Sequence, residues 1–224
     1  MKRTLVILIW TIGLPMLSLG QSKFPPRNEV HRDSSLTALI CKLQYAIFKQ
    51  DKDFLLSIVD KNVKNSFGGD NGIEEFKEMW ALDKPDSPIW SCLSKLISFG
   101  GVFSDYQSNE VSNSSFVFPY VFNATLPDSL DVFETMVVTA ANVNVREEPK
   151  KDSKIVGKLS YDIVTFDYDK SYPESEVEWY YISSLDKKVS GYVFFEYVWS
   201  IVGYRLFLNK KNDEWKITCL IVGD

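Results

Sequence analysis

The stretch that decides the fold reads Val143-Asn144-Val145-Arg146-Glu147-Glu148-Pro149 and continues into Ile155-Val156-Gly157-Lys158-Leu159. Three further runs follow, namely Val164-Thr165-Phe166, Trp179-Tyr180-Tyr181-Ile182 and Gly191-Tyr192-Val193-Phe194-Phe195-Glu196-Tyr197-Val198. All five runs are short and rich in β-branched or aromatic side chains, and turn-forming residues separate them. Short strands at spacings of roughly ten residues are typical of a small antiparallel barrel, which we predict for residues 137–199.

The order and spacing of these runs resemble the bacterial SH3 (SH3b) domain. The usual pattern of that family is an LNVR-x-x-P strand, an x-V-I-G-x-L strand, a W-x-x-V strand and a closing G-Y/W-V-x-x-x-Y-L strand. All four pieces are present in this order within residues 143–198. An acidic stretch containing proline, from Tyr168 to Glu178, stands where the family has a short glycine-rich turn. The resemblance therefore implies a small binding module, but it says nothing of contacts made by that turn.

The first twenty residues have the pattern of a secretory signal peptide. Lys2 and Arg3 form a charged start, an apolar run extends from Leu5 to Leu19, and Ser18-Leu19-Gly20 suits a cleavage site. The apolar run is too short for a convincing membrane span, and Gly13 and Pro15 weaken it further. We therefore expect export, a periplasmic or extracellular location, and no membrane span after residues 1–20 are removed; an uncleaved N-terminal anchor is the alternative.

The charge of the chain excludes some classes of partner. Cleavage would remove Lys2 and Arg3, leaving 23 basic against 30 acidic side chains and a net charge of −7. Such an acidic chain lacks the basic surface that nucleic acids require, so we expect no nucleic-acid partner.

The part of the chain before the barrel is predicted to be mainly helical. Residues 21–34 are polar, contain Pro25-Pro26, and are expected to form a mobile leader. Apolar residues then recur at helical spacing. A second, short helix can begin at Asp53 and carry Phe54, Leu55, Ile58 and Val59, and a later helix begins at Ser87-Pro88 and ends at Gly100-Gly101. The apolar face of the first helix is predicted to comprise Leu36, Leu39, Ile40, Leu43 and Ile47.

The end of the chain is predicted to be a β-hairpin that does not belong to the barrel. Its strands are Tyr204 to Leu208 and Trp215 to Val222, with a turn at Asn209 to Asp213. An isolated hairpin is marginally stable in water, so it must pair elsewhere, and the extended segment Phe116 to Phe122 lacks a partner. We therefore predict an α+β fold in which residues 35–136 and 200–224 form one domain and residues 137–199 form an inserted SH3-like barrel.

Three cysteines are present, Cys41, Cys92 and Cys219. An odd number excludes a fully paired intramolecular disulfide framework. Each cysteine has apolar neighbours, which favours three buried thiols; one disulfide with one free thiol is the alternative.

Catalysis is not indicated by the sequence. A cysteine endopeptidase, the kind of enzyme that often carries SH3b modules, needs a histidine beside its thiolate, and the only histidine, His31, lies in the polar leader. A lytic glycosidase would need two positioned carboxylates. The acidic residues are interpreted instead as solvated helix and loop charges, among them Glu74, Glu75, Asp83, Asp86 and Asp105. Neither a cluster of metal ligands nor a cofactor motif is present, so we predict a protein without enzymatic activity or cofactor.

Binding is the class that the sequence favours. Aromatic side chains of the predicted barrel supply the candidate ligand-binding residues, which are Tyr168, Tyr172, Trp179, Tyr181, Tyr192 and Tyr197. Because side chains alternate along a strand, Trp179 and Tyr181 face outward if Tyr180 and Ile182 are in the core. The alternative is that these aromatics are buried beneath the Tyr168 to Glu178 loop or against the other domain.

These inferences lead to one expected function and one alternative. The resemblance implies an exported binding protein whose SH3b-like module takes cell-wall (peptidoglycan) or peptide ligands in the bacterial envelope. Alternatively, the barrel packs on the helical domain and the protein contacts an envelope protein without binding the cell wall.

Overall fold

The computed structural model describes residues 22–104, 115–171 and 178–223. Within them the helices are α1 (Ser34–Lys49), α2 (Lys52–Ile58), α3 (Gly72–Met79), α4 (Ile89–Ser98) and the single turn α5 (Tyr168–Ser171). Short 3-10 turns lie at Val30–Arg32, Tyr120–Asn123 and Phe195–Tyr197. The predicted signal peptide lies outside the described residues. None of the described helices is both long enough and apolar enough to cross a membrane.

Twelve strands are found in the described residues, and they form two sheets. They are β1 (Val59–Lys64), β2 (Val102–Ser104), β3 (Ser115–Phe118), β4 (Thr135–Val138), β5 (Val143–Arg146), β6 (Ile155–Leu159), β7 (Ile163–Asp167), β8 (Trp179–Ser184), β9 (Ser190–Phe194), β10 (Val198–Ser200), β11 (Arg205–Lys211) and β12 (Glu214–Ile221). The five-stranded sheet has the order β1-β12-β11-β3-β2, and the seven-stranded sheet has the order β10-β4-β7-β8-β9-β5-β6. The predicted α+β class is confirmed.

The C-terminal hairpin lies at the centre of the five-stranded sheet. β11 pairs with β12 and, on its other side, with β3, where Leu206 lies opposite Phe118 and Leu208 opposite Phe116. The predicted pairing of the hairpin with the segment around Phe116 is therefore confirmed. β12 also pairs in parallel with β1, a strand that the sequence did not reveal.

The helices cover one face of the five-stranded sheet. Asp33 begins α1, because its carboxylate accepts a hydrogen bond from the Leu36 amide at 2.9 Å. Of the predicted apolar face, Leu36, Ile40 and Leu43 are buried, and Leu39 and Ile47 pack against them. Leu208 of β11 joins the same cluster. The first layer is therefore a set of amphipathic helices whose apolar faces are completed by C-terminal strands.

The other face of the five-stranded sheet packs against the seven-stranded sheet. Phe207 of β11 and Cys219 of β12 point to this side, where they meet Val137 of β4 and Ile163 of β7. Because alternate residues of a strand face opposite ways, β11 contributes to both interfaces. The molecule thus has three layers, with the five-stranded sheet in the middle.

The seven-stranded sheet is curled around a small core of its own but remains open. Its inward-facing residues include Val143, Val145, Ile182 and Val193, all of them buried. The edge strands are β10 and β6, and no pairing between them is seen in the described residues. The prediction of a closed barrel is therefore wrong for the part of the chain described. The pairing of β5 with β6 shifts its register between Val145 and Arg146. In the described residues β6 pairs with no strand other than β5.

The sequence pattern predicts that Val143, Val145, Ile155, Val156 and Val193 form the barrel interior, but Ile155 and Val156 lie outside it. Ile155 and Val156 on β6 are 45% and 41% exposed. Because β6 is an edge strand of an open sheet, no further strand covers them, and Leu159 at the end of β6 fills the core instead.

The segment after Gln21 is packed onto the body of the protein, contrary to the expected mobile leader. Phe24 is buried, and its ring stacks on Tyr120 at 5.3 Å between centroids. The Phe24 amide donates to the Tyr161 carbonyl oxygen at 2.6 Å, and Lys23 forms an ion pair with Asp162 at 3.0 Å. The buried ring of Phe24, together with these backbone and side-chain contacts, holds the segment against the body of the protein.

The three cysteines are free thiols in three different environments. Cys219 is buried, Cys92 is half-buried and Cys41 is exposed on α1. Burial raises the pKa of the Cys92 thiol to about 12 and that of the Cys219 thiol to about 11. Neither a disulfide nor the prediction of three buried thiols is supported, because Cys41 lies on the solvent face of its helix.

A valine pair on β5 and β6 tests the assignment of the small core. Val145→Ala deletes a fully buried side chain and should lower the free energy of unfolding by about 1–3 kcal/mol. Val156→Ala makes the same chemical change at an exposed position and should change it by less than about 0.5 kcal/mol. Urea titration monitored by circular dichroism measures both, and equal effects would contradict the inward orientation of Val145.

Candidate functional site

The outward face of the seven-stranded sheet carries two cross-strand rows of aromatic side chains. The backbone pairing places Trp179 of β8 opposite Phe194 of β9, and Tyr181 opposite Tyr192. The rings meet edge to face, at 5.5 Å in the first pair and 5.1 Å in the second. Such pairs fix the ring orientations and leave their outer surfaces available.

The alternation predicted for β8 is confirmed. Ile182 is fully buried and Tyr180 packs against the same small core, whereas Trp179 and Tyr181 are half-buried on the opposite face. β9 follows the same rule, because Val193 faces inward and Tyr192 and Phe194 face outward. The period of two thus sorts the aromatic residues of both strands between core and surface.

A groove of about 670 Å³ lies beside the Trp179 row. Trp179, Phe194 and Tyr197 supply its aromatic wall, and Tyr197 is exposed. The rest of the lining comes from four places in the chain: the turn before β5, β5 itself, the loop after it, and the residue before β8. These lining residues are Ala140, Ala141, Asn142, Val143, Asn144, Arg146, Pro149, Lys150 and Lys151, with Glu178 just before β8.

The second aromatic row continues the same face with charged neighbours. Arg146 lies opposite Tyr192, and Tyr181 lies opposite Asp167 of β7. The Lys170 ammonium is 4.4 Å from the centre of the Tyr181 ring and 2.8 Å from the Asp167 carboxylate. The hydrogen bond from Lys170 lowers the pKa of the Asp167 carboxyl group. The charges of Lys170 and Asp167 beside this row therefore pair with each other, and Lys170 covers part of the Tyr181 ring.

The six predicted ligand-binding residues do not form one site. Trp179 and Tyr197 line the groove, and Tyr181 and Tyr192 form the neighbouring row on the same face. Tyr168 lies elsewhere, because its ring packs on Phe166 of the small core at 4.5 Å and its hydroxyl donates to the Phe133 carbonyl at 3.3 Å. Tyr172 lies outside the described residues.

Sequence reasoning missed several residues of the groove. Phe194 could have been found, because it lies two positions after Tyr192 and therefore on the same face of β9. Asn144 could have been found in the same way, because it alternates with the inward-facing Val143 and Val145 on β5. Pro149, Lys150 and Lys151 lie in a loop without periodicity, so nothing in their spacing placed them near Trp179.

The polar groups of the groove suit binding better than catalysis. Among the described lining residues, Glu178 supplies the one carboxylate, and neither histidine nor cysteine is present. No group of three or more residues able to hold a metal ion occurs within the described ranges. The groove combines an aromatic wall, three cationic side chains and two asparagine amides. Such a lining can hold an extended ligand through ring contacts and hydrogen bonds.

A second exposed apolar surface lies on the solvent face of α1. Cys41, Tyr45 and Phe48 are spaced four and three residues apart, so they lie along one stripe of the helix. Tyr45 is 64% exposed and Phe48 is 78% exposed. The Lys49 ammonium lies 5.3 Å from the Phe48 ring centre and 5.9 Å from that of Tyr45.

Comparison of the chain with models of protein families, with curated proteins and with solved structures found no match.

Proposed function

We propose that this protein is an exported binding protein, without enzymatic activity, that holds a cell-wall ligand in the groove beside Trp179. The observation that carries the proposal is the convergence of Trp179, Phe194 and Tyr197 on one concave surface with polar side chains around it. Trp179 and Phe194 are half-buried and Tyr197 is exposed, and aromatic side chains that keep exposed area beside one another are typical of a contact surface rather than of a core.

The SH3-like nature of the seven-stranded sheet is part of the proposal. The four sequence pieces that resemble SH3b lie on β5, β6, β8 and β9, which are neighbours in the order β8-β9-β5-β6. The expected residues of the family therefore fall on consecutive strands of one curled sheet. We propose that it is an open SH3-like sheet whose outward face binds peptidoglycan, and that Lys2, Arg3 and the Leu5 to Leu19 run direct the protein to the envelope.

Titration of soluble peptidoglycan fragments into the mature protein tests this function. Trp179→Ala should weaken binding roughly tenfold or more, because an aromatic anchor in the centre of a contact surface typically contributes at least about 1.4 kcal/mol. Isothermal titration calorimetry measures the affinities. Tyr168→Ala is the matched control, since it deletes an exposed aromatic side chain of α5, directly after β7 and outside the groove.

The proposal makes two further demands on this experiment. Both variants should unfold cooperatively, so that a loss of binding is not a loss of fold. Unchanged affinity in Trp179→Ala, or no binding of any fragment by the wild-type protein, would refute the function.

A second candidate function is contact with an envelope protein through α1. The stripe of Cys41, Tyr45 and Phe48 favours it, because these side chains face solvent while the opposite face of α1 fills the core. In this alternative the seven-stranded sheet serves as the layer that covers Phe207 and Cys219, and its groove has no cell-wall ligand.

A further inference from the structure

The rim of the groove is basic although the protein as a whole is acidic. The chain carries a net charge of −5, yet Arg146, Lys150 and Lys151 line the groove against the single carboxylate of Glu178. Opposite charge between a site and its ligand steers encounter and selects partners. The local excess of positive charge therefore points to an anionic group on the ligand.

Two of the three cations are already engaged. The Lys150 ammonium lies 2.5 Å from the Glu148 carboxylate, and the Arg146 guanidinium donates to the Ser153 carbonyl oxygen at 2.7 Å. Lys151 is exposed, and no carboxylate of the described residues lies within ion-pair distance of it. Lys151 is therefore the cation best placed to meet an anion from outside the protein.

A hydrogen-bond acceptor lies in the same groove. The Oδ1 atom of Asn144 is buried, and no donor of the described residues reaches it. Asn144 is two residues before Arg146 on β5, so both side chains belong to the outward face. A buried carbonyl oxygen is unfavourable until an N–H or O–H group donates to it. The amide N–H of an extended peptide is such a donor.

We infer that the groove selects a short anionic peptide, with a carboxylate at Lys151, a backbone amide donating to Asn144 Oδ1, and apolar atoms on Trp179 and Phe194. This inference rests on the proposed function of the groove and names its ligand class. Peptide stems of the cell wall carry free carboxylates and many amide donors, whereas the lactyl carboxyl group of each stem-bearing sugar is bound in an amide and carries no charge. The charge of the rim therefore favours the peptide portion over the sugar.

Two synthetic stem peptides test the inference, one with free carboxylates and one with every carboxylate amidated. The free acid should bind the mature protein about threefold to fivefold more tightly at low salt, the range for an exposed charge pair. Raising the salt to about 0.5 M should remove most of this preference, because mobile ions screen exposed charges. Isothermal titration calorimetry measures both affinities.

Variants assign the preference to single residues. Lys151→Gln should abolish the difference between the two peptides, while Lys158→Gln, an exposed lysine on β6 that does not line the groove, should keep it. Asn144→Ala should weaken both peptides to a similar degree, since both retain their backbone amides. Lys151 and Lys158 are exposed, so these two variants should keep the wild-type unfolding midpoint.

The outcomes separate the inference from the function on which it rests. Equal affinity for both peptides, a preference that survives in Lys151→Gln, or binding of peptidoglycan fragments but of neither peptide would overturn the inference and leave the proposed function standing. Failure of the fragments and both peptides to bind would overturn both.

Discussion

A chain that ends at Gly203 should fail to fold its helical layer, although it retains every helix and all seven strands of the outer sheet. The removed strands carry five buried residues of the helical core, which are Leu206, Leu208, Trp215, Ile217 and Leu220. Burial of each such side chain contributes about 1.5–3 kcal/mol. Their loss removes about 8–15 kcal/mol, which equals the whole stability of a typical domain. We therefore expect no cooperative unfolding of α1 to α4.

Circular dichroism during heating and urea titration measures this result. The control is a chain that ends at Val222, because it keeps both strands of the hairpin and loses only a terminal segment joined to Val202 by one backbone hydrogen bond. The control should unfold within a few degrees of the wild-type protein. A chain ending at Gly203 that kept the wild-type midpoint would show that the helices are stable without β11 and β12.

The position of the hairpin could be predicted because its composition excludes the alternatives. Residues 204–208 and 215–222 are too apolar to remain in solvent, and the earlier apolar segment around Phe116 needed a partner. The facing of Trp179 and Tyr181 could be predicted for a similar reason, since the period of a strand allows only two arrangements. In both cases the strand pattern allowed only a few arrangements, and the apolar character of the residues favoured one of them.

Other features carried too weak a signal. β1 contains only two apolar residues, Val59 and Val63, and pairs in parallel at the edge of its sheet, so neither alternation nor a turn indicates it. The apolar residues of the leader that are buried, Phe24 and Val30, are isolated among polar residues, so no periodicity indicates that this segment packs. The register shift between β5 and β6 beside Val145 could not be predicted either, because a shift of one residue does not change the composition of a strand.

In the groove, too, some residues could be predicted from the sequence and others could not. Its aromatic wall lies on strands, where periodicity placed Trp179 and could have placed Phe194. Its charged rim lies on the loop after β5 and just before β8, where only the folded chain brings Lys151 and Glu178 to one surface. The specificity proposed for the groove therefore rests on residues whose sequence positions were uninformative, as is common for loops held by a scaffold of strands.

A phenylalanine pair measures how strongly the two sheets depend on each other. Phe207 lies on β11 with no exposed surface, between the five-stranded and the seven-stranded sheet, and its ring meets Phe122 at 5.3 Å. Phe207→Ala should lower the free energy of unfolding by about 3–5 kcal/mol, because it removes a fully buried aromatic side chain and leaves a cavity between two layers.

The matched control is Phe48→Ala on α1, which makes the same chemical change at a side chain that is 78% exposed. It should change the free energy of unfolding by less than about 0.5 kcal/mol, since no core contact is lost and alanine is a strong helix former. Urea titration gives both values, and hydrogen exchange shows where protection is lost. In Phe207→Ala we expect faster exchange in β4 and β7 as well as in β11, because Val137 and Ile163 pack against Phe207 from the other sheet. Loss of protection confined to the five-stranded sheet would show that the outer sheet, with its groove, is stable on its own.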